Sequence, residues 1–343
     1  MPSLITLADI HAAHARIAGT AVRTPLVQLD PAAIRAAGFD TTAAIYLKDE
    51  SAQPIGSFKL RGAYNKIAQL TPEQLSRGVI TYSSGNHAQG VAYAARALGS
   101  KAVIVMPEGA PKVKRDATLA LGAEVVDVSN ASSDRKRKAE ELAAAHGYSI
   151  IPPYDDPAII AGQATCGVEI FEQLPSVDLV LSPVSGGGLL SGVATGLKLS
   201  YEDAGLSPPQ VWGCEPALAA DAAESFRTGT LVEWSAAQTT RTICDGLRTQ
   251  SLGELNFTHI LRFVDGIVTV PEAEIRAATR LILHATSIVA EPSGAITLAA
   301  ALFHADELPA AQQIVVIVSG GNIDPALKAE LESAEAPIAW TSA

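Results

Sequence analysis

Short apolar blocks alternate with amphipathic stretches along almost the whole chain. "AAIYLKDE" precedes the helical pattern "KLRGAYNKIAQL", and "GVITYSS" precedes "NHAQGVAYAARALG". "KAVIVMP" is followed by "PKVKRDATLALG", then "AEVVDVS" by "SDRKRKAEELAAAHG". The second half repeats the habit with "VDLVLSPVS", "GLLSGVATGLKLSY", "QVWGCEP" and "QQIVVIVSGGN". Apolar blocks of strand length between helix-length patterns predict parallel strands covered by helices on both faces. The expected fold class is therefore α/β, with two open, twisted, parallel-type sheets flanked by helices. Residues 60–150 hold several complete strand–helix units, and no Pro-, Gly- or Ser-rich linker sets them apart. They are expected to form a small domain inserted into a large one built from residues 1–59 and 151–343.

Composition narrows the function classes. Of 343 residues, 48% are hydrophobic and 18% charged, which suits a packed core. A net charge of −11 argues against a nucleic-acid partner, whose footprint is a basic face. No apolar run reaches the ~20 residues of a membrane span. The first residues lack the charged start and apolar block of a signal peptide, so a cytoplasmic location is expected. Cys166, Cys214 and Cys244 are widely spaced with no CxxC pair, as free thiols in a reducing compartment would be.

Three strand ends run into small-residue loops, at the edge where parallel sheets bind ligands. They are "SSGNH" at Ser83, Ser84, Gly85, Asn86 and His87, "SGGGL" at Ser185, Gly186, Gly187, Gly188 and Leu189, and "SGGN" from Ser319 to Asn322. Consecutive glycines before a helix let backbone N–H groups converge on an anion, and a phosphate is the natural guest. A tight turn with no ligand is the plain alternative for that loop alone. It is no dinucleotide fingerprint, because Ser191 stands where the third glycine belongs, and no Gly-Lys-Ser/Thr follows for a P-loop. Lys59 opens a helix among apolar and small neighbours. An amine, a phosphate cradle and two Ser/Asn-rich loops together match what pyridoxal 5′-phosphate (PLP) requires.

"GSFKLRGA", "SSGNHAQG", "SGGGLLSG", "EPSGA" and "SGGN" stand in the order seen in PLP-dependent serine/threonine dehydratases and serine racemases. The chain resembles that family from about residue 20 to 325. The resemblance implies fold type II, the tryptophan synthase β-subunit architecture. It implies that Lys59 holds PLP as a Schiff base and moves the Cα proton, while Phe58 packs on the ring. It gives Asn86 to the ring oxygen, Ser185, Gly186, Gly187, Gly188 and Leu189 to the phosphate, and Ser319 to the ring nitrogen. The family usually carries glycine where Ser185 stands. Ser83, Ser84, Gly85, Asn86 and His87 are expected to receive the substrate carboxylate, and Ser84 is in racemases a second acid/base.

"CEPALAAD" resembles the family's divalent-cation site, with Glu215, the Ala219 carbonyl and Asp221 as oxygen ligands suited to Mg²⁺, Ca²⁺ or Mn²⁺. Carboxylates serving a helix dipole are the structural alternative. Arg135 heads four consecutive basic residues, ordinarily a solvated face. In the racemase branch an arginine near this place reaches dicarboxylic ligands, and Arg248, Thr249 and Gln250 are further possible selectors. The activity implied is dehydration and deamination of a β-hydroxy-α-amino acid, such as L-threonine or L-serine, to a 2-oxo acid and ammonia. A 3-hydroxyaspartate dehydratase and a serine racemase stay open as alternatives. A non-catalytic PLP or phosphate carrier is the rival from another class, and it has no use for Lys59. A homodimer or homotetramer acting on a small amino acid is expected.

Overall fold

The computed structural model describes residues 3–83, 85–110, 112–129 and 132–333. Its strands are β1 (Leu26–Gln28), β2 (Ala44–Asp49), β3 (Val79–Tyr82), β4 (Ala102–Pro107), β5 (Glu124–Val128), β6 (Ser149–Ile150), β7 (Leu179–Pro183), β8 (Gln210–Pro216), β9 (Gly266–Val270) and β10 (Gln313–Val318). They form a six-stranded sheet in the order β1-β2-β10-β7-β8-β9 and a four-stranded sheet in the order β5-β4-β3-β6. The four-stranded sheet is parallel throughout. The larger is parallel except at its edge, where β1 runs antiparallel to β2. β1 has only three residues, too few for a pattern of its own, so this edge had no signal in the sequence.

Burial explains the apolar blocks. Along β10, Val316 and Val318 pack into one core while Val315 and Ile317 pack into another on the opposite face. β7 divides its residues the same way, Leu179 and Leu181 against Val180. A strand covered on both faces needs no polar alternation, and each fully buried Val, Leu or Ile side chain stabilises the fold by roughly 1.5–3 kcal/mol. Cys166, Cys214 and Cys244 are free and buried, and burial pushes all three thiols upward in pKa. No helix among the described residues is long and apolar enough to cross a membrane.

Because the strands are parallel, the loops after β3, β7 and β10 all lie at carboxyl ends. The helix Lys59–Ile67 is stitched to one of them. Phe58 N donates to Ser319 O at 3.0 Å and Gly321 N donates to Gly56 O at 2.9 Å. The chain order thus brings "SFKLRG" and "SGGN" together across more than half the molecule.

Candidate active site

Lys59 is the first residue of its helix, and its side chain is half-buried. Nζ donates to the Pro153 carbonyl at 2.8 Å and lies 5.1 Å from the centre of the Phe58 ring. No carboxylate pairs with it among the described residues, and burial pulls its pKa down from 10.5 to about 8. An amine held there without a counter-charge has a usable neutral fraction near physiological pH, which is what a Schiff-base lysine and general base require.

Two residues after Lys59, the helix carries a charge at the centre of the protein. Arg61 is wholly buried and forks to Glu50 at 2.8 Å and Glu169 at 2.6 Å. Lys48 joins Glu169 at 2.7 Å, completing two cations and two anions. Burial penalises the Glu50 carboxylate, but the Arg61 guanidinium outweighs it and holds the pKa at about 2. This quartet ties β2, the lysine helix and the helix Pro157–Gln173 into one unit. Arg61 gives no signal in the sequence, because burial of a charge is invisible until its partners from distant segments are known.

The loop after β7 is shaped by close approach. Gly187 has φ +95° and caps the helix Gly188–Asp203, whose first-turn N–H groups are left for an outside acceptor. A Cβ on Gly186 would lie 2.4 Å from the Tyr154 ring, so glycine is needed for the ring to pack there. Burial raises the Tyr154 hydroxyl to about 12, so it stays protonated. Tyr154 follows the carbonyl that holds Lys59, so one loop walls both amine and cradle. Ser185, in place of the usual glycine, does not turn its hydroxyl idly: Oγ lies 2.7 Å from Thr249 Oγ1.

The other loops meet the same region. Asn86 heads the helix Asn86–Ala97, and Ser319 Oγ donates to Ser293 O at 3.3 Å. His87 is buried with Nε2 3.0 Å from the Ile151 carbonyl, so Nε2 carries the proton and only Nδ1 can accept. Burial, reinforced by Lys59, lowers its pKa to about 3. It acts as a neutral group. Ser84 lies outside the described residues. Ser83 Oγ accepts from Gly85 N at 3.3 Å.

Arg135 lies in the first turn of the helix Ser132–His146, which follows β5 at the carboxyl edge of the four-stranded sheet. A cation there is disfavoured by the helix dipole. Lys136, Arg137 and Lys138 each reach a carboxylate, on Glu140, Asp134 and Glu141. Arg135 reaches none among the described residues. Its Nε is buried without a partner, and burial lowers its pKa. Lys136 and Arg137 keep to the expected solvated face, while Arg135 and Lys138 are half-buried. Arg248 is committed elsewhere, donating to the Thr242 carbonyl through Nε at 3.0 Å.

Glu215 and Asp221 are both buried. Glu215 accepts from Ala222 N at 2.9 Å and Ala223 N at 2.7 Å, at the start of the helix Asp221–Thr228. Asp221 Oδ2 is buried with no partner among the described residues. Burial raises both carboxyls, Asp221 to about 7, and the Asp221 charge lifts Glu215 further. Glu215 serves the helix through these two bonds, and the unpartnered Asp221 oxygen is of the hard type that a divalent cation accepts. No group of three or more His, Cys, Asp or Glu side chains converges on a metal position among the described residues, so carbonyl and water oxygens would have to complete the shell.

Comparison with known proteins agrees with this geometry. A family described as pyridoxal-phosphate dependent enzyme matches residues 17–320. The chain is 41% identical over 283 residues to an L-threo-3-hydroxyaspartate ammonia-lyase of Saccharomyces cerevisiae, covering 82% of this chain and 84% of the relative. It is 37% identical over 321 residues to a serine racemase of Schizosaccharomyces pombe, covering 94% and 95%. The crystal structure of a threonine deaminase from T.th. superposes with a TM-score of 0.84 at 42% identity, covering 93% of this chain and 99% of that one.

Proposed function

The chain belongs to the pyridoxal-phosphate dependent enzymes, and on that premise we propose an ammonia-lyase of β-hydroxy-α-amino acids that prefers 3-hydroxyaspartate over serine and threonine. One observation carries the preference. Among the described residues of the run 135–138, only Arg135 lacks a carboxylate, and its guanidinium is partly buried at the ligand edge of a sheet. A desolvated guanidinium without an anion is costly, and a second substrate carboxylate would satisfy it with paired hydrogen bonds. The similarity to a hydroxyaspartate ammonia-lyase supports the same reading.

PLP, when bound between Lys59 and the glycine loop, supplies the electron-withdrawing ring that acidifies the substrate's Cα–H. The chain does the rest. Lys59 takes the Cα proton as a neutral amine and returns a proton to the departing β-hydroxyl, which leaves as water. The enamine left behind takes up water and releases ammonia, so the products are a 2-oxo acid and ammonia. Ser83, Ser84, Gly85 and Asn86 receive the α-carboxylate, and Ser185 to Leu189 present N–H donors to the cofactor phosphate. Ser319, its hydroxyl turned from the Ser293 carbonyl, offers a neutral donor to the ring nitrogen and so does not hold it protonated as a carboxylate would. That favours loss of the β-hydroxyl over transamination. His87, being neutral, contributes at most an acceptor.

We take residues 60–150 as an inserted domain, which places the carboxylate loop and Arg135 on one body and the glycine loop on the other. A divalent cation at Glu215, Ala219 and Asp221 joins the reading as a structural or activating ion. A homodimer or homotetramer in the cytoplasm completes it.

The test is 2-oxo acid release from L-serine, L-threonine and the threo and erythro 3-hydroxyaspartates. A hydroxyaspartate should lead L-threonine in kcat/KM by about tenfold or more, and Arg135→Ala should remove about 10–100-fold from that substrate alone, as loss of a charged hydrogen-bonded pair does. Equal turnover of threonine, unmoved by Arg135→Ala, would return the protein to the general serine/threonine dehydratases.

A further inference from the structure

Glu291 of "EPSGA" and Asn322 of "SGGN" both close on Asn86. Asn86 Nδ2 donates to Glu291 Oε1 at 2.7 Å, and Asn86 Oδ1 accepts from Asn322 Nδ2 at 2.8 Å. Asn322 Nδ2 uses its other hydrogen on the Ile55 carbonyl at 2.9 Å, in the turn that leads to Lys59. The orientation of the Asn86 amide is thereby decided by chemistry. Turned over, its NH₂ would face the Asn322 NH₂ and its oxygen the Glu291 carboxyl. Of the two hydrogens on Asn86 Nδ2, one is taken and one remains.

The surroundings are built for this contact. A Cβ on Gly320 would lie 2.8 Å from Glu291 Oε1 and 3.2 Å from Asn86 Nδ2, so only glycine leaves the pair room. Glu291 is 2% exposed, and its Oε2 has no hydrogen-bond partner among the described residues. Burying a carboxyl in this way is unfavourable, so stability alone does not account for it. Burial, with the Asp245 charge adding to it, raises Glu291 to about 7 against the pull of Lys114 and the Asn86 hydrogen bond. Lys114 itself is paired with Asp245. Ionised or protonated on Oε2, Glu291 keeps Oε1 as an acceptor for Asn86.

We propose that Glu291 and Asn322 are positioning residues that clamp the Asn86 carboxamide from both ends, so that its remaining N–H serves as the fixed donor to the cofactor's ring oxygen. The proposal rests on the reading of Asn86 as that oxygen's partner. The donor stabilises the oxygen's anionic form, and losing its alignment weakens cofactor binding and shifts the pH at which the bound cofactor's visible band titrates.

The experiment compares the holoenzyme with Asn322→Asp, Glu291→Leu, Asn86→Ala and the double variant Asn86→Ala/Asn322→Asp. Asn322→Asp is isosteric but turns a double donor into an acceptor facing two carbonyl-type oxygens. Measured are PLP dissociation, the pH titration of the visible band, and unfolding of the apo-proteins as a control on folding. Asn322→Asp and Glu291→Leu should each weaken PLP binding about tenfold and raise the band's titration by about one pH unit. In the double variant, Asn322→Asp should add little to Asn86→Ala, because both act through one donor. A folded Asn322→Asp or Glu291→Leu protein with wild-type affinity and titration overturns the clamp, as does full additivity. If Asn86→Ala by itself changes neither, the assignment of Asn86 has failed, and the clamp fails with it.

Discussion

At the scale of single residues, the proposed chemistry rests on an amine that the fold half-buries. Lys59 donates to a carbonyl, and its lowered pKa comes from burial alone. The amine is neutral above its pKa, so capture of PLP by the apo-protein should accelerate as pH rises and level off above about 8. Stopped-flow absorbance across the pH range checks this. A midpoint near the ordinary 10.5 would mean an amine in contact with water. Lys59, Asn86 and Ser319 could be singled out from the sequence because each sits inside a dense local motif, and their roles remain proposals. Tyr154, Glu291 and Asn322 were not given roles, since what they touch lies in loops far away along the chain. A motif marks where chemistry concentrates. It does not say which side chains hold the chemical ones in place.

At the scale of elements, the strands buried on both faces were visible as apolar blocks, and the helix beginning at Lys59 starts where the pattern placed it. β1 and β6, of three and two residues, were not, because so short a segment carries no period. The least foreseeable feature is the Lys48, Glu50, Arg61 and Glu169 quartet beneath the lysine helix. Removing one member leaves buried charge uncompensated. Arg61→Ala should therefore cost about 3–5 kcal/mol in urea unfolding, far more than a surface arginine. Glu50 adds a pH signature. Its folded pKa is depressed from 4.5 to about 2, so its stabilising contribution is whole above pH 4.5 and lost as pH falls through 2. Arg61→Ala should erase that contribution. Unfolding midpoints within experimental error of wild type would contradict the quartet's role.

At the scale of the whole molecule, two sheets bring their loop-bearing edges into one site, while the net charge of −11 leaves the anion-binding task to local donors. The cation proposed at Glu215 and Asp221 belongs to this scale, because it would anchor the loop after β8 to the body of the large sheet. Chelation by EDTA should lower the thermal midpoint of the wild-type holoenzyme by a few degrees and leave Asp221→Asn unaffected, as a ligand that binds only the folded state requires. A wild type indifferent to both EDTA and added Mg²⁺ would leave Glu215 to the helix it caps and Asp221 without a cation.

The proposed chemistry depends throughout on where the cofactor is attached. Borohydride reduction of the PLP-loaded protein, followed by peptide mass mapping, locates that amine directly. The account predicts one pyridoxyl group per chain, on Lys59, with loss of the visible band. A label on another lysine, or none on a protein that still releases 2-oxo acid, would contradict it.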